Sequence, residues 1–127
     1  MIVNKSIDIE DEVREALAPY VTAYCRPLPA QYDLPHILIT QVGGTDSNTI
    51  DTFEVVLDAR AELEADALGC LNTAVAVLKT VARQQTTDIR YVSVNSSGSW
   101  GADPVRPDLA MCSARLSIVA HQKSMEV

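Results

Sequence analysis

Apolar residues first recur at helical spacing near the N-terminus, at Ile9, Val13 and Leu17, with Ala16 beside them. Asp8, Glu10, Asp11 and Glu12 open that stripe, where carboxylates complement the positive end of a helix dipole. Pro19 removes a backbone donor and disfavours helix at Ala18, so the pattern predicts a helix over 8–18. An extra turn through Tyr20, Val21 and Tyr24 would extend it. Pro27, Pro29 and Pro35 mark residues 25–35 as an extended connector. His36–Val42 is rich in branched residues and reads as a strand. Gly43 to Asn48 reads as a turn, because Gly, Asp and Asn tolerate positive φ. From Thr52 to Ala59 the chain alternates. Phe53, Val55, Leu57 and Ala59 face one way and Glu54, Asp58 and Arg60 the other, so a hairpin with one wet face is expected.

The strongest periodicity runs from Glu62 to about Gln84. Leu63, Ala67, Leu71, Val75, Leu78 and Ala82 fall on one helical stripe, widened by Cys70 and Ala74. Acidic residues stand at its start and Lys79 and Arg83 near its end, both suited to the dipole. Ile89–Asn95 is a third predicted strand and Leu109–His121 a fourth. In the fourth, Cys112, Ala114, Leu116, Ile118 and Ala120 face a core. Ser96–Asp108 reads as a long polar loop, and residues 122–127 as a flexible tail. The order helix, two strands, helix, two strands predicts an α+β fold. Its expected form is a four-stranded, mostly antiparallel sheet with one long helix packed on it and a short N-terminal helix. One domain over 1–127, with its core at about 8–121, is the matching organisation.

Composition narrows the partners. The chain of 127 residues is 47% hydrophobic and 21% charged, which is globular rather than disordered. Its net charge of -7 suits neither nucleic-acid backbone nor an anionic membrane surface. The wholly apolar runs are about five residues long, against the roughly 20 of a membrane span, and no signal-peptide core is visible. Charge is uneven: residues 1–66 hold 13 acids and 4 bases, net -9, and residues 67–127 hold 4 acids and 6 bases, net +2. Two such halves can meet on neighbouring subunits. Cys25, Cys70 and Cys112 are too few, too odd and too widely spaced for a disulfide framework or a zinc pair, so buried free thiols are expected.

A search for catalytic chemistry predicts no enzyme and no cofactor. Gly43-Gly44 is followed by no Lys and no helix, unlike a phosphate loop. Gly98-Ser99-Trp100-Gly101 lacks the spacing of a nucleophile elbow, and a triad would have to borrow His36 or His121 with Asp103 or Asp108. Trp100, the only Trp, falls in the 13-residue stretch Ser96–Asp108 together with Arg106, and both are residue types favoured at interface hot spots. The two loops therefore supply the candidate interaction residues Gly43, Gly44, Asp46, Trp100, Asp103 and Arg106.

The succession of elements resembles the tail terminator (tail completion, head-tail joining) proteins of long-tailed bacteriophages. The matching features are the helix Asp8–Ala18 before a Pro-bearing connector and the strand ending in Val42-Gly43-Gly44. They continue with the strand Thr52–Ala59 running into the Ala-rich helix Glu62–Ala82, Tyr91–Asn95, the Gly/Pro/Asp stretch Ser96–Asp108, and Ala110–Ala120. The resemblance implies a structural virion protein without catalytic activity. It implies a homo-oligomeric ring, a hexamer, that caps the tail-tube protein, stops its elongation and meets the head-tail connector protein. Its place would be the tail-head junction of the virion, and the host cytoplasm during assembly. DNA would pass through the ring without tight binding, and the acidic charge agrees with that. The alternative expectation is a small α+β ligand-binding or regulatory domain, with its ligand between Ser96–Asp108 and the sheet.

Overall fold

The computed structural model describes residues 1–127. In chain order the elements are β1 (Ile2–Lys5), α1 (Ile9–Leu17), β2 (Ala23–Cys25), β3 (His36–Asp46) and β4 (Ile50–Ala61). They continue with α2 (Glu64–Gln84), β5 (Ile89–Ala102), β6 (Ala110–His121) and β7 (Lys123–Glu126). The fold is α+β, as expected, but the sheet is not four-stranded. Five strands lie in the order β2-β3-β4-β6-β5, and β1 and β7 form a separate two-stranded antiparallel ribbon. Within the larger sheet only β2 and β3 are parallel.

Four boundaries differ from expectation for identifiable reasons. The segment Ser96–Ala102 is sheet, not loop, and pairs with Ala110–Arg115 of β6. Register shifts at Ile89/Tyr91, Val94/Ser96 and Ser97/Ser99 each insert an extra residue in β5, which erases the alternation by which a strand is recognised. Gly98 sits at the last of them with φ +79°, a conformation that favours glycine. Likewise Gly43 to Asp46 belong to β3, so the turn contracts to Ser47–Thr49. The tail expected to be loose is β7, held against β1 from Ile2↔Glu126 to Lys5↔Lys123. The extra turn is only partly made: the Tyr20 and Val21 N–H groups both reach the Leu17 carbonyl oxygen, but the chain then extends and Ala23–Cys25, Tyr24 included, pair with Ile37–Ile39.

Both helices cover one face of the larger sheet. Asp8 caps α1 by accepting from the Asp11 backbone N–H, and Ile9, Val13 and Leu17 are fully buried. Along β4 burial alternates strictly: Phe53, Val55, Leu57 and Ala59 are inside. Cys112, Ala114, Leu116, Ile118 and Ala120 of β6 stand directly opposite that row or beside it. α2 lays Ala67, Cys70, Leu71, Ala74, Leu78 and Ala82 on them. Val75 is only partly buried, and Leu63 leaves the predicted stripe because it is the extended residue preceding the helix, 64% exposed. By length and composition α2 could cross a membrane, which the short apolar runs of the sequence conceal; a third of its most apolar stretch is buried in this protein.

Leu71 has no exposed surface and sits mid-stripe, so its side chain cannot be removed without leaving a void. Leu71→Ala is expected to destabilise the fold by about 2–5 kcal/mol, read from urea unfolding midpoints at constant m-value. A cost under about 0.5 kcal/mol would place the core elsewhere.

Candidate interaction surface

The six candidate residues do not form one site. Gly43, Gly44 and Asp46 lie on the distal half of β3, where every residue from Gln41 to Ile50 is exposed. Trp100 lies on β5 opposite Cys112. Gly44 is level with Phe53 and hence with Ile118. The two positions are therefore six residues apart along β6, roughly 20 Å. Asp103 and Arg106 come together in the turn after β5, near Trp100 and far from the glycines.

Each residue has a local role. Gly44 is required by the sheet itself, because a Cβ there would stand 2.5 Å from the Thr52 carbonyl oxygen. Asp46 is exposed and free of ion pairs. Trp100 is 49% exposed although it sits on the helix-covered face of the sheet, which its pairing with buried Cys112 defines. Arg106 is paired within its own loop, donating from Nε and Nη2 to both carboxylate oxygens of Asp108 at 3.0 and 2.8 Å. That pairing raises the guanidinium's already high pKa. Asp103 is 3% exposed and cannot be a contact residue, contrary to expectation. Its Oδ1 accepts the backbone N–H groups of Val105 and Arg106, and Oδ2 lies 2.8 Å from Arg60 Nε.

The Arg60–Asp103 pair belongs to a buried corner that sequence reasoning missed. His36 stands directly opposite Arg60 across β3 and β4, on the face away from the helices. It is wholly buried, its Nδ1 is 2.8 Å from the Asp33 carbonyl oxygen, and Nε2 has no hydrogen-bond partner. The carbonyl assigns the proton to Nδ1. Tyr24 and Tyr32 pack edge-to-face on its ring, with centroids 5.3 and 5.0 Å away. Burial, and then the Arg60 charge, push the His36 pKa below 6.5 against the opposing pull of the Asp33 carbonyl. Burial alone would raise Asp103, but the two backbone N–H groups and Arg60 outweigh it and hold the carboxyl below its usual range. Only the alternating charge of β4 hinted at this corner; the partners come from the connector and from beyond β5.

Beyond the corner, the uncovered sheet face carries a polar ladder. Ser117 donates to Glu54, Asn95 to both Glu54 and Ser117, and Ser113 to Asp58. The thiols are free, with Cys70 and Cys112 buried and Cys25 partly so, and desolvation raises all three. No three His, Cys, Asp or Glu side chains converge as a metal site would require. Ser99 and the two histidines do not converge either: His36 is buried beneath tyrosines, and His121 is exposed at the opposite end of β6. No space separates most of Ser96–Asp108 from the sheet, because Ser96–Ala102 is part of it. Open grooves of about 350 and 530 Å³ flank Tyr20 along the outer side of α2. Comparison with protein-family models and with curated proteins finds no match.

The corner makes stability depend on pH. His36 binds its proton less readily in the folded than in the unfolded chain, so the unfolded state gains protons first as pH drops. Stability is therefore expected to fall as pH is lowered below about 6.5, before carboxylates titrate. Thermal melting at pH 7.5, 6.5 and 5.5 checks this. A His36→Phe protein should show a smaller decline over the same interval, and an equal decline in both would acquit His36.

Proposed function

We propose that this chain is a structural subunit of a long-tailed bacteriophage, a tail terminator that assembles as a hexameric ring on the tail tube. The ring stops tube elongation and offers its other surface to the head-tail connector, at the tail-head junction of the virion, after assembly in the host cytoplasm. The observation that carries this reading is the polarity of the sheet. Strand order places β2, β3 and β4, from the half of net charge -9, at one edge. It places β6 and β5, from the half of net charge +2, at the other. A subunit that is acidic on one flank and mildly basic on the opposite flank favours head-to-tail association, and head-to-tail association closes into a ring when the rotation allows.

The succession of helix, proline-bearing connector, hairpin, long helix and hairpin on which the resemblance rests is retained in the fold, with β1, β2 and β7 added. A net charge of -7 per copy also repels DNA passing through a central channel. The reading needs no reactive site.

Light scattering of the purified protein is expected to give a mass near six times 13.8 kDa, falling as salt screens the acidic-to-basic contact. Added to polymerising tail-tube protein, the ring should limit tube length as seen by electron microscopy. Trp100→Ala, folded by circular dichroism, should give overlong tubes. A protein that leaves tube length unchanged at saturating concentration is not a terminator.

A further inference from the structure

Both lateral edges of the larger sheet are open, at opposite ends. β2 covers β3 only at Ile37–Ile39, and the Glu10 carboxylate takes the Gln41 N–H, which leaves residues 42–46 without a strand on their outer flank. On the far side, β5 has β6 along one flank and nothing along the other. No backbone hydrogen bond outside the strand ladders reaches residues 42–46 or 96–102. A 3.4 Å contact from the Gln41 amide to the Gly43 carbonyl is the only side-chain bond to either segment.

We infer that these two edges bind each other between copies: Gly43–Asp46 of one chain pairs with Ser97–Gly101 of the next, placing Trp100 over Gly44. Three independent constraints select this register. The first is sense. β3 and β5 run in opposite directions within one sheet, so copies related by rotation about a ring axis bring them together antiparallel, the more stable pairing.

The second is obstruction by β2. A neighbour docked without stagger would put its β2 where Ser97–Trp100 already stand, because Ala23–Cys25, Ile37–Ile39 and Ser97–Trp100 are at one level of the sheet. The neighbour must slide along the strands until its β2 clears Ala102.

The third is facing. Side chains alternate across a sheet, so only an even stagger keeps the helices of both copies on the same side. A stagger of six residues meets both demands. It aligns Gly44 with Trp100, Thr45 with Ser99 and Asp46 with Ser97. Six residues are roughly 20 Å along the strand, and the four strands repeated per copy span roughly 19 Å across it. The resulting tilt of roughly 45° lies at the upper end of the ~35–45° at which closed sheets form.

The chemistry fits a second copy of this chain. Trp100 is a large ring left 49% exposed on the helix side of an edge strand, and Gly44 is the one position opposite it that has no side chain to collide with. Aromatic rings packed across glycine in neighbouring strands stabilise such edges. This pairing rests on the proposed ring for the rotation that relates the copies, and on the sheet edges for its register.

The test uses two single variants, Thr45→Cys and Ser99→Cys, both at exposed positions, purified separately under reducing conditions. Directly opposed antiparallel residues lie at ~4.5–5.5 Å between Cα atoms, within disulfide reach. Mild oxidation of the mixture is expected to give a covalent dimer that neither variant nor the parent protein gives alone. Trp100, the sole Trp, should shift its emission to shorter wavelength as concentration rises and the oligomer forms. An oligomer by light scattering with no mixed disulfide, or with unshifted emission, overturns this pairing and leaves the ring reading standing. A dimer from one variant alone signals two-fold association and overturns it as well. A monomer at every concentration sinks both. A mixed disulfide in a protein that fails to cap tail tubes keeps the pairing and discards the terminator assignment.

Discussion

Everything in this molecule depends on one sheet face being covered and the other not. α2 and α1 both pack on the face lined by Ile37, Ile39, Phe53, Val55, Leu57 and the even-numbered residues of β6 from Cys112 to Ala120. With this single layer of helices, the apolar side chains must keep strict alternation in β4 and β6, where a one-residue slip would expose all of them. The two strands meet that demand without a register shift over twelve consecutive pairs. The irregular strands, β3 and β5, flank this central pair and absorb the bulges. Regularity at the centre and irregularity at the flanks follow from the same cause: burial enforces register only where both neighbours and the helix layer demand it.

The ionic corner shows how the uncovered face is tied to the loops. A buried ion pair is weak evidence of net stabilisation, since desolvation offsets much of its attraction. Its geometry here points to placement instead. Asp103 satisfies two backbone donors of the turn after β5 and meets Arg60 from β4, so the turn is anchored two strands away from where it starts. His36, capped by Tyr24 and Tyr32, seals the same corner and joins the connector to it. The end of β5 that carries Trp100 is therefore held from below even though its outer flank is free. For the proposed pairing this matters, because an end fixed in advance needs less order imposed when a contact forms.

Legibility in the sequence followed burial. α1, α2, β4 and β6 read correctly because each puts an unbroken apolar period against the core; Ile9, Val13 and Leu17 needed no tertiary knowledge. Leu63 has the spacing of the helical stripe yet lies outside it, because its extended backbone makes it the residue before the helix. The distal parts of β3 and β5 resemble loops in sequence, since Gly43-Gly44 and Ser96-Ser97-Gly98-Ser99 carry turn chemistry and the bulges destroy the alternation. β1 and β7 could not be found at all. All but half-buried Val3 among their residues are exposed, and they are strands because they pair with each other across the length of the chain. Of the candidate surface, Trp100, Gly43, Gly44, Asp46 and Arg106 are exposed. Asp103 is not, because its burial comes with Arg60, 43 positions earlier in the chain, and no local pattern reports that.

An exposed edge strand is a hazard that soluble proteins disarm with charge, proline or bulges. The two open edges here are disarmed only in part. β5 carries three register shifts, yet between Ser96 and Ala102 it has neither a proline nor a charged residue. β3 between Val42 and Thr45 likewise has none, and its bulge at Gln41/Gly43 lies at the near end of the open segment. The protections that do exist, β2 on lower β3 and Glu10 on the Gln41 N–H, cover positions where a second copy would join the sheet in the wrong register. They leave bare the segments where the staggered register fits. Under the proposed pairing, protection arranged in that way would discriminate between registers rather than simply prevent association, as an edge must if identical subunits are to join in one geometry and stop when the circle closes.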